Sequence, residues 1–220
     1  MRQVKIGDKW TFGDWGAYLG PSPTIGNPET KTSYVDLPAG NGSLDLSEAL
    51  TDEPVYKNRE LEFELVLFPP RIQWEHIRTK IANYCHGRRM AIIMPDDPQH
   101  YFIGRVEMGE LKKEKSETSA TISFKVTCDP YRYKNTLTVF KQTIPTTGIL
   151  KLNLRNERKR VIPTFTTGGE TTIEFKGLSF TSRAGTFKLT SVFLDPGDNP
   201  FTIKGAPGTA VRIEYQEGAI

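Results

Sequence analysis

The sequence predicts a mainly β protein: an α+β first domain, in which one helix lies on a sheet that carries a hairpin, followed by a β-sandwich. Three observations predict it. Leu61, Phe63, Leu65 and Leu67 alternate with Glu62, Glu64 and Val66, the period-2 signature of a half-buried strand. One stretch alone, residues 71–86, repeats apolar residues at helical spacing. From residue 134 onward, short alternating segments follow one another between Gly and Pro turns with no helix among them, the habit of a sandwich.

Taken in order, the opening to about residue 34 is irregular, with Trp10, Trp15 and Tyr18 set among Gly20-Pro21-Ser22-Pro23 and Gly26-Asn27-Pro28. It reads as a wrapped loop anchored by its aromatics, or as a loop that packs on a neighbouring subunit. Val35 to Leu46 forms two short β-like segments around a Pro/Gly/Asn turn, and Val55 to Phe63 leads into the alternating strand. Pro69-Pro70 stops that strand and suits a helix start, where a missing N–H costs nothing. Ile72, Trp74, Ile77, Ile81 and Tyr84/Cys85 make the apolar stripe of the helix, and Gly87 ends it.

Strands are expected around 89–94, 100–107 and 119–128, with a turn at Asp96-Asp97-Pro98. A hairpin at about 107–121 carries the charged tip Lys112 to Glu117, either solvated or an arm toward the next subunit. Asp129-Pro130 breaks the last strand, so the domains are expected at 1–133 and 134–220. In the second, Leu150/Leu152/Leu154, Ile173/Phe175, Phe187/Leu189, Val192/Leu194, Phe201/Ile203 and Val211/Ile213/Tyr215 alternate. Gly168-Gly169, Ala184-Gly185, Pro196 to Asn199 and Pro207-Gly208 supply its turns.

Hydrophobic content of 37% and charged content of 25% belong to an ordinary globular chain of 220 residues, long enough to bury a core in each domain. The net charge of +3 is too small to imply a polyanionic partner. The halves differ: residues 134–220 carry 12 Lys/Arg against 7 Asp/Glu, whereas residues 1–133 carry 17 against 19. Two cysteines, Cys85 and Cys128, are too few for a disulfide framework and point to synthesis in a reducing compartment. The N-terminus has no apolar signal region, and no apolar run approaches the roughly 18 residues of a membrane span. No export signal and no membrane span are therefore expected.

Catalysis finds no foothold. His76 and His86 are ten residues apart on a helix, about 15 Å, too far to share a metal, and His100 stands apart. Cys85-His86 is not a ligand spacing, and neither a CxxC, a GxSxG elbow, a P-loop nor a GxGxxG occurs. Asp36 and Asp45 are carboxylates in a distinctive motif, where they cap turns. Asp195 to Asn199 lacks the ligand series of a calcium loop and reads as a turn. The basic run 155–160 has no interleaved aromatics and reads as a solvated connection. No enzyme activity, cofactor or metal is expected. A sugar site needs an aromatic platform, and the second domain offers only Tyr215 and phenylalanines that alternate like core residues.

Asp36, Pro38, Asn41, Gly42, Leu44, Asp45, Tyr56, Asn58 and Arg59 resemble, in order and spacing, the N-terminal signature of the siphophage distal tail (Dit) family. His86-Gly87, an Asp-Pro turn before Tyr101, Gly104-Arg105-Val106 and Leu194 to Asn199 extend the resemblance along nearly the whole chain. Ala39, where the family has glycine, departs from it, and Gly40 follows at once. The resemblance implies a structural protein of the virion, at the lower end of the tail, made in the host cytoplasm. It implies a homohexameric ring closed by the first domains, each a β-sandwich with one helix and a long β-hairpin, with galectin-like β-sandwich second domains outside. That ring would join the tail tube protein to the tail-tip (Tal) protein, dock receptor-binding proteins in some phages, and leave a channel for DNA. Larger relatives insert carbohydrate-binding modules, for which this chain has no room, so it resembles the compact form.

Asp36, Gly42, Asp45, Tyr56, Asn58 and Arg59 would fix the loop of the inter-subunit contact. Arg59 is expected to do so by a bidentate bond to a carboxylate, so that Arg59→Ala would block assembly and leave the monomer folded. A host-glycan adhesin module, or a tail-tube-like protein of another injection device, remains the alternative reading.

Overall fold

The computed structural model describes residues 2–38, 40–68, 70–114 and 118–220. The expectations resting on Ala39, Pro69 and residues 115–117 of the hairpin tip lie outside the described residues. The chain is mainly β and divides into two compact units, Met1–Arg132 with Ile220, and Tyr133–Ala219.

The first unit opens with β1 (Lys5–Ile6), β2 (Lys9–Trp10), a five-residue helix α1 (Thr11–Trp15), β3 (Ala17–Leu19) and β4 (Thr24–Ile25). The opening is thus not irregular as expected. Its strands are only two or three residues long, too short for alternation to show. β5 (Tyr34–Asp36) and β6 (Ser43–Asp45) pair with each other alone. Then come β7 (Arg59–Leu67), a 3-10 turn at Arg71–Gln73, α2 (Trp74–Cys85), β8 (Arg89–Ile93), β9 (His100–Lys113) and β10 (Ala120–Cys128).

The strands of the main sheet run β2-β1-β8-β9-β10-β7-β3, with β4 also against β7. Its first and last strands are separated in sequence by little more than α1, which rises only about 7.5 Å. The sheet must therefore curl until its two edges come within reach of one short helix, and the curl encloses the core. β7 and β10 pair in register over nine residues, from Arg59↔Cys128 to Leu67↔Ala120. Inside, Phe63 and Phe124 stack with centroids 5.0 Å apart, flanked by fully buried Leu61, Leu65, Ile122 and Val126. Outside, Glu60, Glu62 and Glu64 face solvent, and Lys125 reaches Glu60 at 2.8 Å.

α2 buries Trp74, Ile81 and Cys85 against this core, and Gly87, at φ +75°, turns the chain away from its end. Ile72, expected on the same stripe, is 89% exposed. Residues 71–73 wind as a 3-10 turn with three residues per turn, so Ile72 falls out of phase with the α-helical stripe that starts at Trp74.

β11 (Arg132–Lys134) begins at the last residue of the first unit and leads into the second, to β12 (Thr138–Thr143), β13 (Ile149–Asn156), β14 (Thr164–Thr167) and β15 (Thr171–Phe175). β16 (Leu178–Ser182), β17 (Gly185–Lys188), β18 (Gly197–Gly205), β19 (Ala210–Tyr215) and β20 (Gly218–Ala219) complete it. Two four-stranded sheets form, β12-β19-β14-β17 and β13-β18-β15-β16. Leu150, Leu152, Leu154, Ile173, Phe201 and Ile203 of one sheet bury with Phe165, Val211 and Ile213 of the other. Val192 and Leu194 alternate but are not a strand: Val192 closes a turn, and Leu194 makes an isolated bridge to Val161. The Pro196 to Asn199 turn runs directly into β18. There the Asn199 side chain donates to the carbonyls of Asp195 (2.8 Å) and Gly197 (3.1 Å) and accepts from the Asp195 amide.

Because Phe63 fills the centre of the curled sheet, Phe63→Ala is expected to lower the unfolding free energy by about 3–5 kcal/mol. Urea unfolding followed by circular dichroism measures this. A loss under about 1 kcal/mol would mean that the core collapses around the gap and does not depend on the stacked pair.

Candidate assembly surface

Residues 29–57 leave the sheet between β4 and β7 as an arm. At its root the Gly26 amide donates to Glu60 O (2.9 Å), Lys57 N to Glu29 O (2.7 Å) and Lys31 N to Val55 O (2.7 Å). Farther out, β5 and β6 pair Tyr34↔Asp45, Val35↔Leu44 and Asp36↔Ser43. Asp36 Oδ1 accepts from the Ser43 hydroxyl at 2.7 Å across the hairpin. Gly42 sits at φ +80° with open space around it, so backbone conformation rather than crowding calls for glycine there. Asp45 Oδ1 accepts from the Ser47 amide at 2.9 Å, closing an Asx turn. Hydrogen bonds from the Ser47 side chain and amide hold the Asp45 carboxyl below its ordinary pKa.

The arm has no core of its own. From residue 31 to 52 every described residue except Ser47 is exposed. Among them are Tyr34, Val35, Leu37, Leu44 and Leu46, and Leu50 is 99% exposed. A two-stranded hairpin with neither face packed is marginal in water. Charge and turn chemistry shape this one, and its apolar side chains have nothing to bury against within the unit.

Within the chain Arg59, at the arm's root, bonds to backbone carbonyls and not to the carboxylate expected. Its side chain is buried, its Nε donates to Gly26 O at 2.8 Å, and its Nη1 donates to Pro130 O at 3.3 Å. The Phe102 ring lies 5.3 Å from the guanidinium carbon. Desolvation lowers its pKa. Tyr56 bridges to Thr30 and meets the Tyr131 ring edge-on at 6.0 Å, while Asn58 is exposed. The six residues singled out in the sequence thus lie in two places: Asp36, Gly42 and Asp45 in the hairpin, Tyr56, Asn58 and Arg59 at the root.

The hairpin at 107–121 belongs largely to the sheet body. Ala120 and Ile122 are fully buried and paired on both sides, with β7 and β9. A second exposed apolar surface lies elsewhere, just past β7. Phe68 is 59% exposed there, and its ring continues a row with Tyr18 (5.4 Å) and Phe12 (4.6 Å from Tyr18). Sequence reasoning missed Leu50 and Phe68, for which no pattern speaks, and misassigned Ile72.

Other candidates for chemistry resolve into structure. Among the described residues no group of three or more His, Cys, Asp or Glu could hold a metal ion. Burial pushes the thiols of Cys85 and Cys128 up to about 11 and about 12. The Tyr215 ring is buried and its hydroxyl donates to Arg155 O at 2.5 Å, so it offers no face to a sugar. The basic run 155–160 is pinned rather than merely solvated. Asn156 is buried and donates to the carbonyls of Lys159 and Leu194, and Arg160 pairs with Asp195 at 2.8 Å.

No family model and no curated protein matches this chain. Its fold is similar to that of the SPP1 Dit protein, described as a paradigm of the hub adsorption apparatus in phages that infect Gram-positive bacteria. The TM-score is 0.66 at 12% identity, covering 98% of this chain and 99% of that one.

Two outcomes are expected of this geometry. Arg59→Ala removes charged hydrogen bonds inside the monomer and should cost about 1.5–3 kcal/mol of unfolding free energy. An unchanged urea midpoint would show that the bonds to Gly26 and Pro130 contribute nothing. Native protein should leave both thiols unreactive toward Ellman's reagent at pH 8, and unfolding should release two; a native titre above zero would contradict their burial.

Proposed function

We propose that this chain is a structural hub of a phage tail tip, forming a homohexameric ring that joins the tail tube to the tail-tip (Tal) protein. The ring leaves a channel through which DNA passes, and its rim offers a place for receptor-binding proteins. The reading assigns no catalytic step and no cofactor. It rests on a fold likeness that spans both chains end to end, together with the residue pattern at 36–59. The coreless arm is the single observation on this molecule that carries it. Exposed apolar side chains on an unsupported hairpin are what a subunit carries when its partner is another subunit. Arg59, Tyr56 and Asn58 set the arm's exit from the sheet, and Asp36, Gly42 and Asp45 set its shape.

Negative-stain electron microscopy and native mass spectrometry of the purified chain should show six-membered rings with an open centre. A gold-labelled antibody on native particles should mark the lower end of the tail tube; label elsewhere defeats the assignment. Replacing residues 34–50 by a short Gly-Ser turn should leave folded protein that no longer forms rings.

A further inference from the structure

We infer that Asn41, in the turn between β5 and β6, is a site of spontaneous covalent modification, where the folded chain deamidates to aspartate and isoaspartate. Water is the only co-reactant. The inference concerns the chemistry of this turn in the free chain and stands or falls independently of the ring reading.

Asn41-Gly42 is the one place in the sequence where glycine follows an asparagine. Deamidation begins when the backbone nitrogen of the next residue attacks the asparagine side-chain carbonyl carbon, so the surroundings of that nitrogen decide whether it occurs. Glycine has no Cβ to obstruct the approach and the widest backbone freedom to bring its nitrogen into line. Here the space around Gly42 is open as well, since a Cβ added there would meet nothing. Asn41 is exposed. Among the described residues the Gly42 amide donates to no carbonyl, and the Asn41 side chain makes no hydrogen bond. The strands below are fixed, pairing up to Asp36↔Ser43. The turn is therefore held at its feet and open at its crown.

The other seven asparagines each lack a condition. Asn27 and Asn199 precede prolines, whose nitrogen carries no proton to lose. Asn83 lies inside α2 and Asn153 inside β13, where regular structure fixes the backbone. Asn156 is buried, with its amide bonded to the carbonyls of Lys159 and Leu194. Asn58 and Asn135 are followed by Arg59 and Thr136, whose side chains crowd the attacking nitrogen.

The step balances without help. The Gly42 nitrogen loses its proton to base and bonds to Asn41 Cγ, the Cγ–Nδ2 bond breaks, and ammonia leaves behind a five-membered succinimide. Water then opens the ring. Opening at Cγ gives aspartate in a normal backbone; opening at the main-chain carbonyl leaves Gly42 joined through the side chain, an isoaspartyl link. Because the nitrogen must first lose its proton, the reaction quickens as pH rises. The isoaspartyl form inserts a methylene into the backbone between β5 and β6, next to the Asp36–Ser43 bond. Both products add a carboxylate to a turn that already carries Asp36 and Asp45.

The test is to age full-length folded protein in mildly alkaline buffer and digest it with trypsin, which releases Thr32 to Lys57 as one peptide. That peptide should split into two isomers, each with the side-chain amide replaced by an acid. The isoaspartyl isomer should accept a methyl group from S-adenosylmethionine through an isoaspartyl methyltransferase. Peptides holding the other asparagines should stay unchanged over the same time, and the change should slow as the buffer is made more acidic. Asn41→Gln should abolish it, because a glutamine must close a slower six-membered ring. The excised peptide aged alone sets the unrestrained rate, and the folded chain should react within a few-fold of it. A folded chain that stays intact while the peptide reacts would show that the turn withholds the Gly42 nitrogen, and would overturn the inference. The same mass change persisting in Asn41→Gln would place the reaction at another residue and overturn it equally.

Discussion

The register of β7 is the constraint on which the first unit depends. Leu61, Phe63, Leu65 and Leu67 point inward and Glu60, Glu62 and Glu64 outward, across nine residues paired to β10. A slip of one residue would drive three glutamates into the core and four large apolar side chains into water, a reversal no local rearrangement could offset. The curl of the sheet follows from the same strand, since β3 and β4 both lie along it. So do the two ends of the strand: Arg59 fixes where the arm joins, and Leu67 is followed at once by the exposed Phe68.

A fixed strand with a loose appendage at one end and an apolar ledge at the other gives the unit a direction. The bonds that define the arm are short-range: Asp36 to Ser43, Asp45 to Ser47, Lys57 to Glu29. Each is exposed and worth little alone in water. They specify a shape without supplying the stability to hold it, and burial of the arm's leucines is the term still missing. Full burial of one leucine side chain contributes about 1.5–3 kcal/mol, so covering even two or three outweighs all the hairpin's polar contacts together.

Much of this was legible in the residues, and what was not had a physical cause. The alternation of residues 61–67 and of the second unit's strands is a direct print of one buried face, and it placed both cores. The strands of the opening, two or three residues long, leave no period to read, and α1 is too short, with Gly13 inside it, to show a stripe. Arg59 was recognisable as a residue with a task, but its acceptors are carbonyls 33 and 71 positions away, and a carbonyl has no letter in a sequence. Ile72 fitted the helical spacing, yet spacing cannot tell whether the first turn winds with three residues or 3.6. The arm's motif announced turns correctly while saying nothing of whether a core lay beneath them.

The two units differ in how they meet water. The exposed apolar residues of the second unit are Leu137, Val139, Ile149 and Leu178, spread over separate strands and loops. Single apolar residues scattered on a surface are ordinary. The outer sheet faces there are tied by ion pairs such as Lys204 with Glu174 at 2.5 Å, and the excess of cations keeps them solvated. In the first unit six of the exposed apolar side chains gather on the arm, while Trp10, Ile25, Phe68 and Ile72 lie elsewhere. Hydrophobic association scales with contiguous area removed from water rather than with a count of residues. The largest cluster of apolar side chains left in water therefore lies in the first unit, and the second carries a polar, basic surface.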